Sequence, residues 1–187
     1  MSTDGIEKFN VTIIGTKPLL MHSPAGIGKS STKKSNNYDP MEEATAVLYL
    51  NSDNVICVPS MAILGALRKA ATEHKAKGRG RKTLRDFVYS GLVIDEELIP
   101  LPNQEWVVDA RPVVVQRSRI MRWRPRFDKW ELKFTISIVD PSVWNGTDIR
   151  NILEDAGKFV GLLDFRPLFG LFKVQSMINT NTGKEVK

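Results

Sequence analysis

Val55-Ile56-Cys57-Val58-Pro59-Ser60-Met61-Ala62-Ile63-Leu64-Gly65-Ala66-Leu67-Arg68 is the stretch on which the reading of this chain turns. A short β-branched run stops at a proline, and a helical pattern starts directly behind it. Ile63, Leu64, Leu67 and Ala71 recur at i, i+1, i+4 and i+8, which predicts one apolar helix face reaching to about Lys75. Ser60 is the expected N-cap. Upstream, Val47–Leu50 and Val55–Val58 flank Asn51-Ser52-Asp53-Asn54 and read as a hairpin. Cys57 is the single cysteine of the chain, reads as a small buried hydrophobe, and fits a reducing compartment.

Outward from this strand–helix unit, Lys8–Gly15 alternates and reads as a first strand. Residues 23–39 are rich in Ser, Gly, Lys and Asn and read as a mobile loop carrying Lys29, Lys33 and Lys34. Asp39-Pro40, with Glu42 and Glu43 behind it, is the start of a short helix. The glycine-interrupted segment 75–85 reads as a second mobile basic loop, followed by a short helix near 83–89 and a strand over Leu92–Leu101. Arg111–Ile120 and Lys129–Val139 are expected to pair as one long β-hairpin with its tip at Met121–Asp128. Trp130, Leu132, Phe134, Ile136 and Ile138 share one face of its second arm. Thr147 or Asp148 caps a helix striped by Ile149, Ile152, Leu153 and Ala156, and Gly157 ends it. Phe159–Leu163 and Leu171–Met177 close the chain as strands.

Strands and a few helices in this mixed order favour an α+β domain over a doubly wound sheet. The expected architecture is a ferredoxin-like core with inserted loops and a long basic β-hairpin. The 187 residues suit one domain, with a core over about 8–22, 46–76, 91–120 and 129–177, basic loops at 23–39 and 75–85, and a hairpin tip at 117–133. No signal-peptide pattern opens the chain and no apolar run nears the ~20 residues of a membrane span, so a cytoplasmic protein is expected.

Charge distribution points to a partner. Between Arg117 and Lys133 stand seven Lys/Arg against two acids, interleaved with Trp123, Phe127, Trp130 and Phe134. Cations neutralise phosphates and flat rings stack on unpaired bases. Arg68–Arg85 holds eight Lys/Arg and one acid, so the two segments carry fifteen of the chain's 27 cations. A solvated edge hairpin and an ordinary surface loop are the plain alternatives. Gly26-Ile27-Gly28-Lys29-Ser30 fails as a phosphate loop, because Ser23 stands where the motif needs its first glycine. One thiol and two histidines make no zinc site, and neither a metal nor a cofactor is expected. His22 is the weak catalytic candidate, with a packing role as the alternative; His74 reads as a surface residue.

Lys17-Pro18-Leu19-Leu20-Met21-His22 after the first strand, the Pro59-Ser60…Gly65…Arg68 helix start, and the glycine-bearing turn Gly157–Phe172 together resemble one family. That family is the RAMP superfamily of CRISPR-associated RNA-binding proteins, and in particular a compact form of their backbone-type subunits. The resemblance implies a ferredoxin-like (RRM-like) core with a β-hairpin thumb. It implies that Arg68, the loop 23–39, the hairpin 117–133 and Gly157–Gly170 line an RNA path. The glycine expected after Pro59 is missing, and Asp164–Leu168 interrupt the late glycine-rich turn. Asp39 occupies the loop from which some such subunits cleave RNA, but its N-cap role accounts for it.

The expected nucleic-acid-binding residues are Lys29, Lys33, Lys34, Arg68, Arg79, Arg81, Lys82, Arg117, Arg119, Arg122, Trp123, Arg124, Arg126, Phe127, Lys158 and Arg166. The leading reading is a non-catalytic binder of single-stranded RNA, or of single-stranded DNA, arrayed in copies of itself within a ribonucleoprotein. The second is a metal-independent endoribonuclease of the guide-RNA-processing type using His22. The third is a structural subunit whose basic arm grips a neighbouring protein.

Overall fold

The computed structural model describes residues 6–24, 39–115 and 117–187. In chain order it contains β1 (Glu7–Gly15), β2 (Leu19–Leu20), α1 (Pro40–Ala46), β3 (Cys57–Pro59) and α2 (Ser60–Ala70). Then follow α3 (Val88–Gly91), β4 (Leu92–Ile94), β5 (Leu98–Pro100), β6 (Val107–Val115), β7 (Ser118–Phe127), β8 (Glu131–Ile138), α4 (Gly146–Asp155) and β9 (Phe172–Asn179). Lys29, Lys33, Lys34 and the Gly26–Ser30 motif lie outside the described residues.

The main sheet is antiparallel, in the order β4-β8-β1-β9. With α2 following β1 and α4 following β8, this is the ferredoxin-like βαββαβ order, as the sequence implied. Its inner face carries Phe9, Val11 and Ile13 from β1 and Leu132, Phe134, Ile136 and Ile138 from β8, all buried. Ile63, Ala66 and Leu67 of α2 and Ile149, Ile152 and Leu153 of α4 join them in one core. Period-2 and period-3.6 apolar patterns thus meet on opposite sides of a single layer.

A second sheet, β2-β7-β6, stands apart from the first, and β3 pairs with β5 in a third. This overturns the expected hairpin. The arm is formed by β6 and β7, from Val107↔Arg126 to Val115↔Ser118, and it turns at Arg117. Residues 121–127 lie inside β7, where they were expected to form a tip. The expected second arm is instead β8, a central strand paired with β1 (Thr12↔Lys133). Pro125 sits within β7 opposite Val108, and its carbonyl accepts from Met21 N at 3.1 Å. The chain changes sheets only at Asp128-Lys129.

Leu92–Leu101 is likewise two strands. Asp95 accepts from Lys8 Nζ and from Ser137 Oγ, both at 2.7 Å, and Glu96 accepts from Thr135 N at 2.9 Å. Carboxylates take over the ladder's donors there, so the backbone leaves the main sheet and β5 pairs with β3. Lys8 holds the Asp95 carboxyl below its ordinary value.

Further corrections concern three helix ends and one loop. Pro59 holds the N-cap position of α2, and Ser60 is its first helical residue. Asn145 caps α4, accepting from Asp148 N at 2.9 Å, in place of Thr147 or Asp148. Gly157 does not end that helix, which runs on as a π-turn over Ala156–Val160 to Gly161 (φ 77°), so residues 159–163 are not a strand. Segment 75–85 is a hydrogen-bonded turn, not an open loop: Lys75 bridges Thr83, and Ala76 N donates to Lys82 O at 3.0 Å. No helix among the described residues is long and apolar enough to cross a membrane.

Candidate nucleic-acid interface

The outward face of the main sheet offers no stacking platform on its two central strands. β1 presents Lys8, Asn10, Thr12 and Ile14 there, and β8 presents Glu131, Lys133, Thr135 and Ser137. Aromatic residues on that face are what lets an RRM-type sheet stack bases. The basic and aromatic groups lie instead around α2, the late turn and the arm.

In the arm, most expected contact residues are engaged within the protein. Arg124 is only 7 % exposed; its Nε lies 2.8 Å from Asp164 Oδ2, and its guanidinium stacks over Phe165 with 5.2 Å to the ring centre. The ion pair is off the N–H axis, so it supplies charge neutralisation without an aligned hydrogen bond. Arg111 lies over Phe169 at 4.5 Å and contacts Asp109. Arg126 Nη1 is 3.2 Å from Asp109 Oδ2 and its Nε is 2.9 Å from Asp128 Oδ1. Arg122 Nη1 is 3.3 Å from Oε1 of Glu43, a buried carboxylate of α1. Trp123 is half-buried. Phe127 is a correction: it is fully buried in the core, beside β2, and cannot stack on a base.

The open cations lie at the end of the arm and beyond it. Arg117, at the end of the arm with φ 68°, and Arg119 are exposed. Arg79, Arg81 and Lys82 are exposed on the 75–85 turn. Arg79 and Lys82 flank the Phe87 ring at 5.8 and 5.9 Å, and Arg68 lies over Tyr89 at 5.3 Å. Lys158 is exposed with Glu154 at 3.7 Å, and Arg166 is exposed on the late turn.

Between β2, α2 and that turn lies a cleft of about 310 Å³, lined by His22, Tyr49, Met61, Ala62, Gly65, Leu163, Asp164 and Arg166. The turn is held by Gly161 and Gly170, both at positive φ. A Cβ on Gly170 would sit 2.1 Å from Leu162 O, and its N–H donates to Pro18 O at 2.8 Å. Asp164 N donates to Leu20 O at 3.0 Å, which fixes the carboxylate at the cleft wall. Burial and the positive charge of Arg124, aided by Arg122, hold the His22 pKa below its ordinary value; Asp164 and Glu43 oppose them in part. Among the described residues, His22 Nδ1 has no hydrogen-bond partner. Burial, with Asp164 nearby, pushes the Tyr49 phenol up.

Sequence reasoning placed His22 and Arg166 but not their convergence, and it missed Tyr49, Met61 and Asp164. The only available signal was Asp164 sitting between Gly161 and Gly170. Asp39 is an N-cap, accepting from Met41 N at 2.8 Å, as expected. His74 is paired, with Nε2 2.8 Å from Asp155 Oδ2. No group of three His, Cys, Asp or Glu among the described residues is placed to hold a metal ion.

The fold and this geometry define a class first: an α+β, ferredoxin-like domain with a long basic arm and a cleft on its helix side. Among solved structures, the chain is similar to a chain of the cryo-EM structure of the Type III-B Cmr-beta bound to cognate target RNA. The TM-score is 0.61 at 14 % identity, over 93 % of this chain and 60 % of that one. The protein thus spans about three-fifths of that neighbour's length, and the likeness is one of fold. No family model matches the sequence, and no curated protein matches it.

Proposed function

We propose that this protein is a non-catalytic binder of single-stranded RNA, acting as a compact backbone-type subunit of a CRISPR-associated ribonucleoprotein. The observation that carries the reading is the set of exposed cations around the cleft and α2. Arg68, Arg79, Arg81, Lys82, Lys158 and Arg166 are left accessible or half-accessible, while the arm's inner arginines are paired. Exposed Arg79 and Lys82 beside the Phe87 ring, and half-buried Arg68 over Tyr89, suit a flexible strand. The solved neighbour, a chain of an assembly described as bound to target RNA, supports the same partner. The test is binding of an unstructured, end-labelled oligoribonucleotide as a function of salt. The expected result is binding that weakens steeply between about 50 and about 200 mM salt. No binding at the low-salt end overturns the reading.

One observation favours a second reading. His22 is held uncharged in a cleft that also carries Arg166, as a general base for a ribose 2′-hydroxyl would be. Incubation with labelled hairpin RNA in EDTA decides it: cleavage by wild type that His22→Ala abolishes makes the protein a metal-independent endoribonuclease, and intact RNA removes that reading.

A further inference from the structure

Tyr89 is held out of the core on a rigid support. It lies in α3, a single turn in which Val88 is fully buried and Tyr89 is 54 % exposed. The buried Trp144 fixes that turn at both ends. Its Nε1 donates to Phe87 O at 3.2 Å, and a Cβ on Gly91 would overlap its ring, so glycine is what permits the approach. A lone exposed ring is ordinary; the surroundings of Tyr89 are not.

Arg68, in the last turn of α2, lies over the ring at 5.3 Å, and no carboxylate pairs with it among the described residues. Guanidinium and phenol thus form a two-layer stack that still leaves much of the ring open to solvent. Segment 75–91, to which Tyr89 belongs, carries six Lys/Arg, all exposed, against one acid, Asp86. The other rings that meet cations differ. Phe87 is half-buried, with Arg79 and Lys82 both beside it. Phe165 and Phe169 carry Arg124 and Arg111, whose charges face Asp164 and Asp109. Among these four rings, Tyr89 alone combines full exposure with a cation that has no carboxylate. Such a ring suits a flat group joined to phosphates, which is an unpaired base in a strand. Stacking tolerates any base, because each has a π-face, whereas a base inside a duplex has both faces covered by its neighbours.

We propose that Tyr89, backed by Arg68, is a stacking platform for one unpaired base of any kind, and is the residue through which the protein prefers single-stranded to duplex RNA. The proposal deepens the RNA-binding reading above and rests on it. The test uses the whole protein at low salt with two probes. One is an oligouridine carrying a single central 2-aminopurine, the base in that strand that stacks most strongly. The other is the same strand annealed to its complement. Wild type binds the single strand and quenches the 2-aminopurine emission, as stacking on a ring does. Tyr89→Ala binds the single strand about tenfold more weakly, the share of one stacked base, and loses the quenching. Its affinity for the duplex stays that of wild type. Tyr89→Phe keeps the ring and behaves as wild type. Tyr89→Leu keeps apolar bulk without a flat face and behaves as Tyr89→Ala.

The ways to fail are distinct. Equal single-strand affinity and equal quenching in wild type and Tyr89→Ala overturn the platform and leave the RNA-binding reading standing. A loss that is equal for strand and duplex also overturns the platform, because the ring then serves no base face. Tyr89→Ala that keeps the wild-type affinity but sediments as a smaller species assigns the ring to a contact between copies of the chain, and overturns the platform as well. Wild type that binds neither probe overturns the RNA-binding reading, and the platform with it.

Discussion

The β6–β7 arm and the 75–85 turn are both rich in cations in sequence, and the structure uses them in opposite ways. On the arm, Arg111, Arg122, Arg124 and Arg126 face Asp109, Glu43, Asp164 and Asp128 and stack on Phe165 and Phe169. On the turn, Arg79, Arg81 and Lys82 are exposed, and their near neighbours are the Phe87 ring and the Ser142 hydroxyl. A cation already neutralised by a protein carboxylate releases few counterions on meeting a phosphate. Charge density along a chain therefore does not locate a nucleic-acid surface. Charge left without an internal carboxylate after folding is what remains available to a phosphate.

The largest expected effect would break the comparison on the arm's side. Arg124→Ala removes a buried guanidinium and leaves Asp164 without its counter-charge. Breaking a buried pair by removing one partner costs about 3 kcal/mol once the partial exposure of Asp164 is discounted. Urea denaturation reads it directly. Arg81→Ala, an exposed change, is expected to shift stability by less than about 0.5 kcal/mol. Equal shifts in the two variants would mean that the arm and the turn do not differ in kind.

Next in size is the effect on binding. Replacing Arg79, Arg81 and Lys82 together by Ala removes three exposed cations. For a single strand, the salt dependence of log affinity is expected to become shallower by about 2, at ~0.7 per phosphate contact. A slope equal to that of wild type would exclude the turn from the proposed RNA contact. Arg117→Gly sharpens the contrast at the arm's end. Arg117 holds φ 68°, a region glycine enters freely, so the variant is expected to gain up to about 1 kcal/mol of stability. It is also expected to lose about one contact's share of the salt slope.

The same contrast explains what was legible in the sequence. The core was readable because its signals are local: alternation in β1 and β8, the 3.6-residue stripe in α4, and the Asp39-Pro40 helix start. Strand partners were not. Whether Leu132 and Phe134 face β1 or β7 depends on closing the main sheet, and a proline at 125 looks like a turn whether or not its strand continues. The cleft was least readable. His22, Gly65 and Asp164 come from three elements far apart in sequence, and nothing within any one of them marks the convergence. The aromatic–arginine interleaving misled for a related reason. Such pairs stack on one another as readily as on a base, and only the fold decides which.

The smallest expected effect tests whether the arm's charges reach the cleft. Burial, Arg124 and Arg122 lower the folded-state pKa of His22 below the ordinary 6.5, while in the unfolded chain it titrates near that value. Above 6.5 the imidazole is neutral in both states and contributes no pH dependence. As the pH falls below it, the unfolded chain takes up the proton first, so stability is lost progressively until the pH passes the folded value, and then levels off. Urea midpoints at about pH 7.5 and about pH 5.5 should therefore differ more in wild type than in His22→Gln, which cannot titrate. Conservative loss of one nearby cation in Arg122→Gln should shrink the difference part of the way, because Arg122 is a lesser cause than burial and Arg124. A midpoint that falls equally with pH in wild type and His22→Gln would mean that the imidazole is solvated and the arm's arginines do not act on it. In that case the cleft and the arm would be electrically separate, and the contrast between engaged and open cations would end at the arm.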